Sequence, residues 1–304
     1  MIPAKRFACY ILMCTLLFSC DYESESENNK EHKLLFPNDG ETLIQGNIYP
    51  VKWIDDQSKT LRIRLLKSGN IHIKISEQVP NKGEFIWTIP DTLEVDNDYS
   101  IKILSNDNDF IYYESEKSFK ILEQSDTSSF TDSRDGQVYK TVKLGDRWWM
   151  AQNFNYETTG SWCYLNNDQN CNLYGRLYTL SAAKISCPPG WHLPTDDEWQ
   201  TLEAYLGIPL HEINTIGFRG INAGYLLSDE VGVGFNAKYS GYYHIRYNWY
   251  YYLSYITYFW TSSSDDTDSK PLVRQLISNN GGIERAKLSG SSYAISVRYI
   301  KDKE

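Results

Sequence analysis

The stretch "CPPGWHLPTDDEW", residues 187–199, sets Cys187, His192, Asp196, Asp197 and Glu198 within thirteen positions. Such a density of titratable side chains is what a metal centre or an acid–base pair is built from. Helix initiation accounts for the acids without chemistry. Thr195 followed at the third position by Glu198 is a capping box, with Pro194 just outside it. Asp196 and Asp197 then fall in the first turn, where the helix N-terminus favours negative charge. Trp199, Leu202 and Leu206 follow at helical spacing as a buried face, and Gly207 ends the helix. His192 has no second histidine or cysteine at ligand spacing and no nucleophile beside it, so it reads as a structural, hydrogen-bonded residue. Neither a catalytic residue nor a metal ligand is expected here.

Two other segments could engage a ligand. In "SSSDDTDS", Asp265, Asp266 and Asp268 could collect calcium through their oxygens. Such a run is more often a polar loop, and no metal or cofactor is expected. The segment 239–260, "YSGYYHIRYNWYYYLSYITYFW", is aromatic at twelve of twenty-two positions. Tyrosine and tryptophan combine apolar area with a polar tip and lose few rotamers on contact, which suits paratope-like surfaces and stacking on sugar rings. The expected ligand contacts are Tyr242, Tyr243, Trp249, Tyr250, Tyr251 and Tyr252. The competing reading is a pair of strands whose tyrosines fill a core or an interface, as Phe259 and Trp260 do.

The chain's beginning sets the compartment. Lys5 and Arg6 precede a mostly apolar run, Phe7 to Phe18, too short to span a bilayer and suited to a secretory leader. The run closes on "LLFSC", which resembles a bacterial lipobox, with Leu17 three places before Cys20 and a small Ser19 between. Residues 1–19 read as a lipoprotein signal peptide and Cys20 as the lipidated residue. Residues 20–32 read as an acidic, flexible tether: 21–31 hold five acids and no aliphatic side chain. Acidic segments at this place resemble an export tag to the outer face of a Gram-negative outer membrane. The expected localisation is therefore the bacterial outer membrane, surface-exposed and lipid-anchored.

Removing the leader takes away Lys5 and Arg6 and moves the formal net charge from −9 to −11. That sign argues against nucleic acid and against anionic lipid as partners, and leaves the lipid anchor as the membrane contact. In an oxidising envelope Cys163 and Cys171, bracketing "YLNNDQN", are the expected disulfide, worth about 2–3 kcal/mol.

The elements divide into two modules. From 33 to 122 apolar residues alternate with polar ones in short bursts: Leu61, Ile63, Leu65; Ile71, Ile73, Ile75; Phe85, Trp87, Ile89; Tyr99, Ile101, Ile103; Phe119, Ile121. Turn formers separate the bursts, and no helical stretch intervenes, which predicts an all-β sandwich. His72 alternates with isoleucines and should face solvent. The frames "FPNDGETLIQGNIYPVKW", "NKGEFIWTIP" and "DYSIKI" resemble an Ig-like Kre9/Knh-type cell-wall module. After a linker at 123–129, the blocks "FTDSRDGQVYKTVKLGDRWWMAQNFNY", "WCYLNNDQNCNLYGRLYTLSAA", "CPPGWHLPTDDEWQTL", "GFNAKYSGYY", "FWTSSS" and "SYAISVRYIKD" follow in the order of the Fibrobacter succinogenes major paralogous (FISUMP) domain. The resemblance covers 130–304 and implies a C-type-lectin-like head whose two ends pair in one sheet. The expected fold class is all-β plus α+β: an Ig-like β-sandwich followed by a C-type-lectin-like α+β domain. Family members often carry a cysteine where this chain has Tyr299. Cys187 is thereby left as a buried free thiol or as a member of a shuffled pairing.

These features imply a non-enzymatic surface lipoprotein that recognises a glycan or a surface protein through its head. The alternative is a structural subunit or tip of a surface assembly. "HLPTDDEW" also resembles a turn of formylglycine-generating enzymes, but their chemistry needs cysteines in the C-terminal part, and none follows Cys187. Replacing the residue on which the anchor depends, Cys20→Ala, is expected to move the protein from membrane to soluble fractions; equal membrane retention of the mutant would overturn the lipid anchor.

Overall fold

The computed structural model describes residues 32–303, except 56, 110, 111 and 229–231. The leader, Cys20 and all but the last residue of the tether lie outside the described residues. Strands hold 45% of the chain and helices 13%, so short helices are placed by sheets rather than the reverse. Among the described residues no helix is long and apolar enough to cross a membrane.

The N-terminal module is Ig-like. A three-stranded sheet has the order Lys33–Phe36, Ile48–Ile54, Glu84–Thr88. It faces a second sheet of Thr42–Ile44, Phe119–Leu122, Asp96–Ser105, Thr60–Lys67 and Asn70–Pro80, with Tyr112–Glu114 added to Asp96–Ser105. Period-two side chains from both sheets form the core: Val51, Trp53, Leu61, Ile63, Leu65, Ile101, Ile103 and Phe119 are buried in one cluster. His72 is exposed at the sheet surface.

The head closes its two ends in one five-stranded sheet, ordered Thr127–Thr131, Val138–Leu144, Arg147–Met150, Ile300–Lys301, Trp191–His192. Trp149 lies opposite Ile300, and Gly145 and Asp146 make the hairpin turn that their types predict. Thr127–Thr131 pairs in register with Val138–Leu144, so the stretch read as a linker at 123–129 ends in a strand of the head. A second sheet runs Gly217–Arg219, Asn280–Lys287, Pro271–Ile277, Ile256–Ser264.

The helix Asp196–Tyr205 ties these parts together. Thr195 Oγ1 accepts the Glu198 N–H at 3.1 Å and Glu198 Oε2 accepts the Thr195 N–H at 2.9 Å, closing the capping box. Trp199, Leu202 and Leu206 enter the core with Trp149, Phe235 and Phe259. The last carbonyls of a helix lack intrahelical partners, and here the Ig-like module supplies them. Lys120 Nζ donates to Tyr205 O at 2.8 Å and Thr42 Oγ1 to Leu206 O at 2.9 Å, the lysine also matching the negative end of the helix dipole. Ile44 of the Ig-like module is part of the head's own core. Gly207, at φ +96°, lets the chain turn there, and a Cβ would stand 2.6 Å from Thr42 Oγ1.

Asp196 does more than start this helix, which corrects the reading of the three acids as helix initiation alone. Asp196 and Glu203, seven residues and two turns apart, lie on one buried face. Arg274 Nη1 reaches Asp196 Oδ1 at 2.7 Å and its Nε reaches Glu203 Oε1 at 2.6 Å. Arg219 Nη2 is 2.7 Å from Glu203 Oε1, and Arg285 Nη2 is 2.9 Å from Asp196 Oδ2. Burial alone would raise the Asp196 carboxyl, but the hydrogen bonds and charges of Arg285 and Arg274 outweigh it and hold the group below its ordinary value. A carboxyl depressed in the folded state contributes stability that is fully present above its unfolded value of 3.8 and lost as pH falls through the folded one. Acid denaturation should therefore set in below pH 4 or so, and Asp196→Asn should flatten that limb of a stability-versus-pH curve. Glu203→Gln takes its carboxylate from the buried Arg219 and leaves Arg274 with Asp196 alone, and is expected to cost about 3–5 kcal/mol in urea unfolding; a loss under about 1 kcal/mol would contradict the network's role.

Candidate functional site

The aromatic segment folds into a small sheet of three strands, ordered Trp249–Tyr251, Tyr242–His244, Tyr293–Ala294. Tyr242 lies opposite Tyr251, Tyr243 opposite Tyr250, and His244 opposite both Trp249 and Tyr293. The connection turns through Ile245–Tyr247 and Asn248, whose φ of 50° is left-handed, a conformation that asparagine tolerates better than most residues. Because strand side chains alternate, this register sorts the tyrosines onto two faces.

The inner face is support. Tyr243 stacks on Tyr250 at 4.6 Å between ring centroids, Tyr250 meets Tyr164 at 5.1 Å and Tyr243 meets Trp162 at 5.1 Å. Tyr250 donates its hydroxyl to Asn166 Oδ1 at 2.9 Å, and Tyr243 to Asn248 Oδ1 at 2.8 Å. Cys163 and Cys171 are joined by a disulfide that closes the loop carrying Tyr164 and Asn166, so the bridge holds the packing under this sheet. Tyr243 and Tyr250, expected among the ligand contacts, are thus inward-facing; strand alternation was the available signal.

The outer face gathers the other rings. Tyr242 is central: Tyr251 stacks on it at 5.2 Å, Tyr258 and Tyr293 meet it edge-on at 5.7 Å each, and Tyr252 lies at 6.0 Å. His244 extends the row, 4.7 Å from Tyr293 and 4.2 Å from Tyr247. Burial pushes the Tyr242 phenol up to about 12, with Tyr252, Tyr293 and Tyr251 adding to it, so the Tyr242 hydroxyl is a neutral hydrogen-bonding group at physiological pH. At the rim Tyr247 is 65% exposed, Trp249 63% and Tyr252 52%. Tyr293 and Tyr258 joined this face only through pairing and packing across the chain. The result is an aromatic platform half-buried at its centre, where Tyr242, Tyr258 and Tyr293 pack against the head's core, with exposed rings at its rim.

The other sequence candidates are accounted for structurally. His192 Nε2 lies 2.9 Å from Glu198 Oε1 and Nδ1 2.6 Å from Asp302 Oδ1, linking the helix start to the chain's last turn. Asp265 accepts the Thr267 N–H and pairs with Lys287 at 2.9 Å, while Asp268 pairs with Lys270 at 3.1 Å; this loop neutralises itself. Among the described residues no cluster of three or more histidine, cysteine or carboxylate side chains could hold a metal ion. Cys187 is a half-buried free thiol whose Sγ donates to Trp191 O at 2.7 Å. Burial first, and the charge of Asp302 next, push it up to about 12, which keeps it a protonated, unreactive thiol.

Fold and site together define a two-module, mostly β protein with an Ig-like first module and an aromatic platform on the second. The sequence matches the Kre9/KNH-like N-terminal Ig-like domain over residues 36–121 and the Fibrobacter succinogenes major domain over residues 142–301. The second match takes in more than half of the chain, which belongs to the Fibrobacter succinogenes major domain family. No curated protein and no solved structure matches it. The two faces of the small sheet make different demands on their residues. Tyr243→Ser is expected to lower unfolding stability by about 3 kcal/mol or more as a buried aromatic truncation, and Tyr251→Ser by clearly less; equal costs in denaturant titration would contradict the sorting.

Proposed function

We propose that this protein is a surface-exposed lipoprotein of the bacterial outer membrane that binds, without catalysis, a glycan through its lectin-like head. The observation that carries the reading is the outer aromatic face: Tyr242, Tyr251, Tyr252, Tyr258 and Tyr293 in mutual contact, with Trp249 and Tyr247 standing exposed at its rim. Aromatic rings present flat apolar area to the C–H faces of pyranoses, while the phenols hydrogen-bond to hydroxyls. An exposed aromatic patch of this kind is unusual on a surface that has no partner. The presence of the head's first and last strands in one sheet supports a lectin-like arrangement, and the protonated Cys187 supports a binding role over thiol chemistry.

A second reading is favoured by the same rim residues: Trp249 and Tyr247 could pack against another subunit of a surface assembly. The two separate on one experiment. The purified chain 20–304 is expected to be monomeric by sedimentation and retained on a glycan array, with Tyr251→Ser and Tyr252→Ser each weakening retention by about tenfold, ~1.4 kcal/mol, at little cost in melting temperature. Self-association lost in Trp249→Ser, without glycan retention, would replace the binding reading with the structural one.

A further inference from the structure

The second sheet of the head, Gly217–Arg219, Asn280–Lys287, Pro271–Ile277, Ile256–Ser264, has two faces with different partners. Arg219, Arg274 and Arg285 turn to the helix Asp196–Tyr205 and are neutralised there. Residues one position along each strand lie on the opposite face. The register sets Phe218 opposite Glu284, Glu284 opposite Gln275 and Gln275 opposite Tyr258. Side chains directly opposite one another share a face, so these four form one row across the sheet. Tyr258 is the end of the row that enters the aromatic platform, edge-on to Tyr242 at 5.7 Å.

Two polar groups in this row have no partner. Glu284 is half-buried, and among the described residues no cation and no hydrogen-bond donor meets its carboxylate. On the other face of the same sheet, Asp196 and Glu203 are each met by two arginines. Burial raises the Glu284 carboxyl above its ordinary value, so its ionised form weakens the fold instead of supporting it. Gln275 is only 7% exposed, and among the described residues nothing hydrogen-bonds to its amide. A buried polar group left open costs free energy that a ligand supplying the partner would recover. The charge also reaches the platform: burial first, and Glu284 next, raise the Tyr258 phenol.

These groups say what kind of ligand fits. A cation is drawn both to tyrosine faces and to an unpaired carboxylate, whereas an acidic sugar is repelled. A glutamine amide donates and accepts, as sugar hydroxyls do. Tyr258 and Glu284 stand two strand spacings apart, roughly 10 Å, which calls for an oligomer rather than a single ring.

We propose that the glycan taken by the aromatic platform is an amino-sugar oligomer, its rings stacking from Tyr242 towards Tyr258, a free ammonium group pairing with Glu284 and a hydroxyl meeting the Gln275 amide. The assignment rests on the glycan reading and adds the ligand's chemistry to it. The test uses the full-length chain in detergent micelles, titrated calorimetrically with fully deacetylated chitosan tetramer, chitin tetramer and cellulose tetramer. The three share ring and linkage and differ at one carbon, which carries an amine, an acetamide or a hydroxyl. At about pH 6.5, below the range of an α-amino group, the chitosan tetramer should bind at least about tenfold more tightly than either neutral one. Raising salt from about 50 to about 500 mM should shrink that margin. Glu284→Gln removes no partner of another residue, so its melting temperature should be unchanged or higher, and the margin should fall to within about twofold. Tyr251→Ser should weaken all three tetramers and keep the margin. Equal binding of the three, or tighter binding of a neutral one, would overturn this assignment while leaving the glycan reading in place; binding of none would overturn both. A Glu284→Gln variant that keeps the tenfold margin, or that melts well below wild type, would give the carboxylate another role and overturn the proposal.

Discussion

Two carboxylates on one helix, Asp196 and Glu203, must neutralise three arginines that arrive from separate strands, and the architecture of the head depends on that constraint. Arg219, Arg274 and Arg285 sit on adjacent strands of one sheet, and the helix is held across that sheet by ion pairs of 2.6–2.9 Å. Apolar packing of Trp199 and Leu202 would tolerate sliding or rotation of the helix. Charges buried together do not, because any misregistration leaves a desolvated ion unpaired, at a cost larger than most single apolar contacts. The net stabilisation by such a cluster is small once desolvation is counted; what it supplies is a single permitted position.

From that position the rest follows outward. The helix start is tied by Glu198 to His192 and Arg147, and so to the strand that joins the head's two ends. The helix end leaves carbonyls that Thr42 and Lys120 of the Ig-like module satisfy. With Ile44 inserted into the head's core, the two modules share buried contacts rather than being joined by chain alone. Arg298 plays the corresponding part on the other side, drawing residues 150, 153, 235 and 236 around one guanidinium.

The candidate binding surface is a consequence of this frame. The aromatic face exists because the pairing of Tyr242–His244 with Trp249–Tyr251 and Tyr293–Ala294 puts alternate tyrosines outward, while Tyr243 and Tyr250 are consumed by the disulfide-closed loop beneath.

The amino-acid sequence determined the local features. Alternation of apolar residues gave the strands of the Ig-like module, Thr195 and Glu198 determined a helix start, and Gly145-Asp146 a hairpin; each depends on neighbours within a few residues, where propensity and pattern carry the information. The order of the six blocks was sufficient to reveal the family. What only the tertiary structure decided are the relations between distant residues. Asp196 looked like a helix-dipole acid because its partners, Arg274 and Arg285, are 78 and 89 residues away. The division of the tyrosines into support and platform required the register of three strands, since a shift by one residue would exchange the faces. The end of the linker in a strand of the head and the capping of one module's helix by the other were equally unreadable, because pairing and burial are properties of the assembled chain and leave no period in the sequence.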